Sequence, residues 1–501
     1  MSRLYPTARL VGMIARKVLR PERCMVRNGK PCKACTEDIK LEKKIKELEI
    51  KIKKIYIKRR ALRTAMNENH DSLIHKFPPE IASLIFIQCS PPIESIDIHF
   101  RPNPLYLGAV CQKWRQLAWA TPELWTSLNI RSFSRDRAQL VREWLDRSAS
   151  LPLDIKLLDD GDCDDQRQHD EVINILNKHS ARWHNMHLNL WAEHLRCLSG
   201  SSQENILRRL ALCLTYSLGR PKFSTFSMKS KPSPTDLTLR RVGLPYVDIV
   251  WNNLTTASVD DIGVDECFEL IRRAPLLGTL KLHAINPSSD IFPIPTTRIV
   301  CPHLHSLELW EIKEQTVVAG ILDSLCLPSL ERWIHYLSSI PLHSIISFVG
   351  YLSSCLKIFK IGIDKCDYRQ IPGLLSHLPS LEFLELRSVK KQPPTAELIS
   401  LLCASAQYPL YLPHLQSLEL VSEFYFAWES LPQIFALLRW QTLRVRVHTG
   451  VERFDDRKTR KELLELVDTG IDLSIINLHW RYNLLQEEPR LMHRSSSTFF
   501  T

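Results

Sequence analysis

Apolar residues first fall into register at Leu41. Leu41, Ile45, Leu48, Ile52, Ile55, Leu62 and Met66 recur in alternating steps of four and three, with Arg59 in the remaining slot and mostly Lys and Glu between. This heptad stripe predicts a coiled-coil-like helix over residues 36–70. Its seam, 41–66, could take a helix partner or pack on its own domain. Polar Asn67–Ser72 is expected to break the helix. Phe77-Pro78-Pro79-Glu80 then opens a second helix: Pro79 suits the first helical position and Glu80 the positive end of the helix dipole. Ile81, Leu84, Ile85 and Phe86 give it one apolar face, and Ser90-Pro91-Pro92 stops it. Leu105–Ala118 reads as a further helical stretch, and Thr121-Pro122-Glu123-Leu124-Trp125 as a cap and a short turn of helix. A segment this short buries little by itself, so its apolar face calls for a partner or for the neighbouring domain.

Farther on, Leu151–Leu158 reads as a strand, and from about residue 183 the chain becomes leucine-rich. Leu supplies 75 of 501 residues, and at that density about two L-x-x-L-x-L matches are expected by chance. Six occur. Five are in phase, at Leu207/Leu210/Leu212, Leu277/Leu280/Leu282, Leu304/Leu307/Leu309, Leu381/Leu384/Leu386 and Leu415/Leu418/Leu420. The sixth, Leu322/Leu325/Leu327, is out of phase and is discounted. Pro-x-Leu precedes the strand at Pro275, Pro302, Pro328, Pro379 and Pro413, in steps of 27, 26, 51 and 34, with a degenerate copy at Leu356/Phe359/Ile361 inside the longest step. The period is therefore about 26, within the leucine-rich-repeat range. Helix-like stretches such as Asp265–Arg273, Val317–Leu325 and Ala396–Leu402 lie between the strands. The Asn or Cys that closes such a strand turn is largely missing, so the repeats are irregular.

Each unit of one strand and one return helix cannot bury its leucines alone. Stacking closes the core and lines the strands into a parallel sheet. Side chains alternate across a strand, so the residue between the last two leucines points outward. Those residues are Lys281, Glu308, Lys360, Glu385 and Glu419, with Arg444 in a weaker Trp440/Leu443/Val445 copy. All are charged, which suits either plain solvation or a concave surface for a target protein. Trp310 and Arg387, one step further along two of the strands, are the expected energetic anchors.

Charge divides the chain. The net charge is +11, but residues 1–66 hold 20 Lys/Arg against 6 Asp/Glu, so the rest sums to −3. A basic arm of this kind can touch nucleic acid or acidic lipid, or simply be a solvated helix and tail. Residues 1–35 read as a disordered basic tail, and Met1–Arg20, with five Arg/Lys and no acid, shares its composition with transit peptides. Fourteen scattered cysteines fit a reducing compartment better than a disulfide scaffold. No apolar run approaches the ~18 residues that cross a bilayer, so no membrane partner is expected.

The series F-P-P-E-I…I-F (77–86), V-C-Q-K-W-R-Q-L-A (110–118) and T-P-E-L-W (121–125) resembles an F-box of the large families of mushroom-forming fungi. The coiled stretch before it and Arg142-Glu143-Trp144-Leu145-Asp146-Arg147-Ser148 after it belong to the same resemblance, which covers roughly 40–155. Phe77 stands where that family usually has Leu, and Gln112-Lys113 departs mildly from its V-C-R-x-W. The resemblance implies a small helical unit presenting apolar side chains to a Skp-type adaptor, within a cullin-based (SCF-type) ubiquitin ligase. On that footing Phe77, Pro78, Pro79, Ile81, Leu84, Ile85 and Phe86 would contact the adaptor, together with Val110, Cys111, Trp114 and Leu117.

Chemistry of other kinds lacks its motifs. The sequence has no Walker loop, dinucleotide glycine motif, G-x-S-x-G or H-E-x-x-H. Cys24, Cys32 and Cys35 lack a fourth ligand at a zinc spacing. Asp160–Glu171 carries acids at calcium-loop positions, but Asp165 stands where the loop turns on Gly, and a solvated loop opening a helix at Glu171 is preferred. His184 and His187 flank a strand and read as structural. No metal, cofactor or enzymatic activity of its own is expected.

The expected fold class is α/β: a coiled-coil-like helix (36–70) and a small all-α F-box (71–130), then an irregular leucine-rich-repeat solenoid or horseshoe (131–480) and a flexible tail (481–501). The expected function is a cytoplasmic or nuclear substrate-recognition adaptor that holds an unknown target protein on its repeats. The rivals are a non-degradative repeat scaffold that reaches nucleic acid through its basic arm, and an enzyme whose site assembles from distant residues.

Overall fold

Leu280, Leu282, Leu307, Leu309, Leu384 and Leu386, the pairs picked out by the repeat spacing, are all 2% exposed or less. They lie on one side of a long parallel sheet in a computed structural model. The structure describes residues 32–70, 76–89, 104–131, 135–158, 166–215, 225–338, 342–350, 355–364, 368–389, 395–423, 426–437, 440–450, 456–478 and 482–485. It divides into two units, residues 1–124 and 125–501. Most of the basic tail, the C-terminal tail beyond Leu485 and the acids Asp160, Asp162 and Asp164 lie outside the described residues.

The second unit is mixed α/β. Among the described residues its sheet has fourteen strands in chain order, with every neighbouring pair parallel. They are β1 (Ser127–Ile130), β2 (Leu153–Leu158), β3 (Trp183–Leu190), β4 (Arg209–Leu214), β5 (Asp236–Arg240), β6 (Thr256–Asp260) and β7 (Thr279–His283). Then come β8 (Ser306–Trp310), β9 (Arg332–Tyr336), β10 (Ile358–Gly362), β11 (Phe383–Ser388), β12 (Ser417–Ser422), β13 (Arg444–Thr449) and β14 (Leu473–Asn477). Parallel neighbours need a crossover. Helices such as Val264–Arg273, Gln315–Ser324 and Thr395–Ser405 supply it, burying one face each. The register partners Thr279, Ser306, Arg332, Ile358 and Phe383 follow in steps of 27, 26, 26 and 25, giving a solenoid-like arrangement with one strand per unit.

The sheet starts earlier than the leucine pattern suggests, at Ser127, and it contains β1 and β2 ahead of residue 183. The out-of-phase Leu325 belongs to a separate two-stranded pairing of Leu325–Cys326 with Ile299–Val300. The helix expected to open at Glu171 begins at Gln166.

Backbone turns take the place of the missing asparagines. Arg241, Asp261, Ala284, Glu311 and Leu337, each just past a strand, have positive φ between 48° and 61°. The first four donate their N–H to the last residue of the next strand: Arg241 to Asp260, Asp261 to His283, Ala284 to Trp310 and Glu311 to Tyr336, at 2.8–3.1 Å. This kink turns the following Val242, Ile262, Ile285 and Ile312 into the core. Two buried acids fasten the next helix. Glu266 accepts the N–H of Gly263 at 3.1 Å and that of Leu244, a unit earlier, at 2.8 Å. Asp265 accepts the N–H groups of Ser289, Ile291 and Phe292 at 2.8–3.0 Å and pins that loop. At the far edge, Tyr482–Leu485 folds back on β14, with Leu484 N–H donating to Ile475 at 2.7 Å. Covering that edge removes a template for further strand pairing.

The first unit is helical. Its long helix, Lys33–His70, runs on through Asn67–His70, where a break was expected, and has its apolar seam exposed throughout residues 41–66. Helix Pro79–Gln88 starts at Pro79, as its sequence dictates, and a shorter helix spans Gln112–Trp119. No described helix is long and apolar enough to cross a membrane.

Candidate interaction surfaces

In the first unit the helix Pro79–Gln88 is divided between two faces. Ala82 and Phe86 turn inward, and the Phe86 ring meets that of Trp114 at 4.7 Å between centroids. Thr121 hydroxyl contacts Ser83 Oγ at 3.1 Å and the Leu117 carbonyl at 2.8 Å, tying this helix to Gln112–Trp119. Cys111 caps the latter, its Sγ accepting the Trp114 N–H at 3.4 Å. Gly108 lies so close to the Trp119 ring that a Cβ there would collide with it. The eleven residues expected to contact an adaptor therefore separate. Phe77, Pro78, Pro79, Ile81, Leu84 and Val110 are exposed, while Ile85, Cys111, Trp114 and Leu117 are half-buried. Phe86 corrects the sequence reading: at 2% exposure, packed on Trp114, it is core and cannot be a surface anchor as it stands.

In the second unit Trp125 and Trp144 meet edge to face at 4.8 Å, with the Arg147 guanidinium 4.9 Å over Trp125. The T-P-E-L-W and R-E-W-L-D-R-S fragments are thus brought together at these three residues.

The outward side of the sheet carries the expected target-binding residues. Lys281, Glu308, Ile334, Lys360, Glu385, Glu419 and Arg446 form one continuous row across β7–β13. Arg444 is a correction. It pairs in register with Ser417, and Arg446 takes the row position opposite Glu419, because Val445 and Val447 are the inward pair of β13. Val in place of Leu hid that phase. Arg444 instead reaches Asp472 at 2.7 Å.

Charges in this row are paired, and the pairs are lopsided. Glu308 lies 3.4 Å from Lys281 and 3.8 Å from Arg332; its side chain is 10% exposed and theirs 45% and 43%. Glu385, 5% exposed, lies between Lys360 at 2.7 Å and Arg387 at 3.3 Å, which are 22% and 35% exposed. Glu419, 13% exposed, sits 3.5 Å from Arg446 and 3.6 Å from His448, at 43% and 23%. The neighbouring His448 ring, helped by the charges of Lys360 and Arg446, outweighs burial and holds the Glu419 carboxyl below its usual range.

Above this row lies an aromatic cluster. Trp310 donates its indole N–H to Glu308 at 3.2 Å and meets Tyr336 edge to face at 4.7 Å. Arg387 lies 4.8 Å over the same Tyr336 ring. Burial, and then the neighbouring Glu385 carboxylate, push the Tyr336 phenol well above its ordinary range. Tyr336 was not among the expected residues. Its copy of the repeat, Leu330-x-x-Trp333-x-His335, has lost the leucines that mark the strand.

Beside the strand ends is a cavity of about 390 Å³, bordered by Arg240, Asp260, His283 and Glu311. Asp260 lies 2.8 Å from His283 Nδ1, and Arg240 lies 2.7 Å from Asp260. Lys313 and Glu314 complete its charged rim, and its lining contains no Ser, Thr, Cys or Tyr. Among the described residues no group of three or more His, Cys, Asp or Glu could hold a metal ion.

No family model matches the chain, and no curated protein matches it. Among solved structures it is similar to a Bacteroides fragilis protein solved by a structural genomics consortium, at 14% identity and a TM-score of 0.30. The likeness covers 43% of this chain and 65% of that protein, less than two thirds of its length, and carries nothing about function.

Proposed function

We propose that this chain is a non-enzymatic substrate-recognition adaptor of a cullin-based ubiquitin ligase. An F-box in the first unit docks on a Skp-type adaptor, and a leucine-rich-repeat body in the second unit holds a target protein on its strand face. The observation that carries the reading is the two-faced helix Pro79–Gln88: Ala82 and Phe86 pack inward while Ile81 and Leu84, like Phe77 before the helix and Val110 after it in the chain, stay exposed. Four exposed large apolar side chains on so small a unit are a docking surface waiting for a partner. They fall within the segments whose sequence resembles an F-box. The aromatic and arginine cluster of Trp310, Tyr336 and Arg387 supplies the residue types that dominate binding energy on the target side. Catalysis would then be proximity, with the ubiquitin-charged enzyme brought by the complex. The exposed seam at 41–66 would take a helix partner.

The reading is tested by co-purification of the full chain with a Skp-type adaptor and cullin, using Ile81→Asp/Leu84→Asp as the docking variant. Recovery of the complex with wild type and its loss in the variant is the expected result. If the wild-type chain recovers no adaptor, the scaffold reading with a basic arm takes its place, and salt-sensitive binding of nucleic acid by that arm is then expected.

A further inference from the structure

From β7 to β13 the outward positions hold six permanent cations, Lys281, Arg332, Lys360, Arg387, Arg444 and Arg446, against the three carboxylates Glu308, Glu385 and Glu419. The excess is sorted by depth as well as by number. In every pair made by those three carboxylates, the acid is the buried partner and the cation or histidine the exposed one. Glu308 and Glu385 each face two permanent cations, so neither cation of those pairs is fully neutralised; Glu419 faces Arg446 and the ring of His448. Arg444 is the exception in depth, since Asp472 meets it at equal exposure. Over this row an approaching molecule therefore encounters ammonium and guanidinium groups first, with Glu308, Glu385 and Glu419 screened below; the half-exposed Glu311 and Asp472 lie at its margins. The same surface holds Trp310, half-buried, with its ring against Tyr336.

We infer that the strand face of β7–β13 recognises an acidic peptide segment, rich in Asp or Glu, with an apolar side chain to set against Trp310. The inference rests on the reading of this face as the target surface and adds the chemical class of the target. Carboxylates of such a segment meet cations that are already positioned by Glu308, Glu385 and Glu419, so less side-chain freedom is lost on binding. A basic segment would meet like charge first.

The test uses the full chain and fluorescence anisotropy at low salt, with three labelled peptides of one length: Glu-Gly repeats carrying one Leu, and the same peptide with Gln or Lys for Glu. The Glu peptide should bind about tenfold or more tightly than the Gln peptide, and the Lys peptide should not bind. Lys281→Gln/Arg387→Gln/Arg446→Gln leaves each carboxylate its second partner and should remove most of that preference, whereas Lys281→Arg/Arg387→Lys/Arg446→Lys should keep it. Lys51→Gln/Lys54→Gln/Lys58→Gln, on the helix Lys33–His70, should change it less than about twofold. Equal binding of Glu and Gln peptides, or a preference lost only in the helix variant, overturns the inference. Should the triple Gln variant lose its circular-dichroism signal, Lys281→Gln alone is read, with a loss of about two- to threefold expected and no loss contradicting the inference. Adaptor binding in the same samples separates the failures. Adaptor bound without Glu-peptide preference removes only the acidic class; preference without adaptor binding removes only the ligase reading.

Discussion

Arg387 places its guanidinium 4.8 Å from the centroid of the Tyr336 ring by reaching across β10, where the intervening position is Gly362. A side chain longer than methyl at Gly362 would stand between them. The same Arg387 is one of two cations beside the buried Glu385. Arg387→Ala should therefore cost about 1–2 kcal/mol in urea denaturation, from the lost cation–π contact and a charged partner of Glu385. The loss stays modest because Lys360 remains at 2.7 Å. An unchanged midpoint would show that the cluster contributes nothing to stability.

Phe86 and Leu84 sit two residues apart and should behave oppositely. Phe86→Ala opens a cavity beside Trp114 and should destabilise the first unit by about 3–5 kcal/mol. Leu84→Ala, at a side chain 54% exposed, should change stability by less than about 0.5 kcal/mol while weakening adaptor binding. Hydrogen exchange of the helix Pro79–Gln88 reads the first effect and titration with the adaptor the second.

The carboxylate of Asp265 gives an acid-dependent term. Burial opposes its ionisation, but hydrogen bonds from the Ser289 and Phe292 backbone and the Ser289 hydroxyl outweigh burial and hold it below its ordinary range. Its folded value is depressed, so the stabilisation is present above the unfolded value of about 3.9 and is lost as pH falls through the folded value. Asp265→Asn should cost about 2–4 kcal/mol at neutral pH, and thermal unfolding of the variant should be less sensitive to acid below about pH 4. A variant as acid-sensitive as wild type would assign that sensitivity elsewhere.

Ala284 has φ of 48°, a conformation that costs an L-residue about 1–2 kcal/mol. Glycine relieves this and gives back part of it in unfolded-chain freedom. Ala284→Gly should stabilise the second unit by about 0.5–1 kcal/mol, read as a higher urea midpoint. Destabilisation would mean that the Ala284 methyl makes contacts worth more than the strain.

Much of the parallel sheet is legible in the sequence where the inward positions are leucine. It is not where they are Ala257 and Val259, is marked only by Pro328 and Leu330 ahead of Trp333 and His335, and is read one position pair early at Val445 and Val447, because a core position constrains size and polarity more loosely than a Leu count does. A second signal was available: one apolar residue three positions beyond the last inward one, as Leu239 to Val242, Val259 to Ile262, Leu282 to Ile285 and Leu309 to Ile312. That residue follows the positive-φ turn, and the turn is a backbone conformation that Arg241, Asp261, Ala284 and Glu311 do not advertise by type. For the candidate surfaces, alternation places Glu308 and Glu385 on the outward side but says nothing of depth. Their burial comes from long neighbouring cations folding over them, which only the register between strands reveals. Phe86 misled for a related reason: four apolar residues on one short helix do not tell which of them packs inward.

The most direct test of the account is hydrogen–deuterium exchange of the full chain with and without a purified Skp-type adaptor. Added protection is expected in 77–88 and 104–119, little change in the helix Lys33–His70, and none on β7–β13, where the target would still have to bind. Protection confined to the long helix or to the strand face, or no protection at adaptor concentrations that saturate a known F-box, would contradict it.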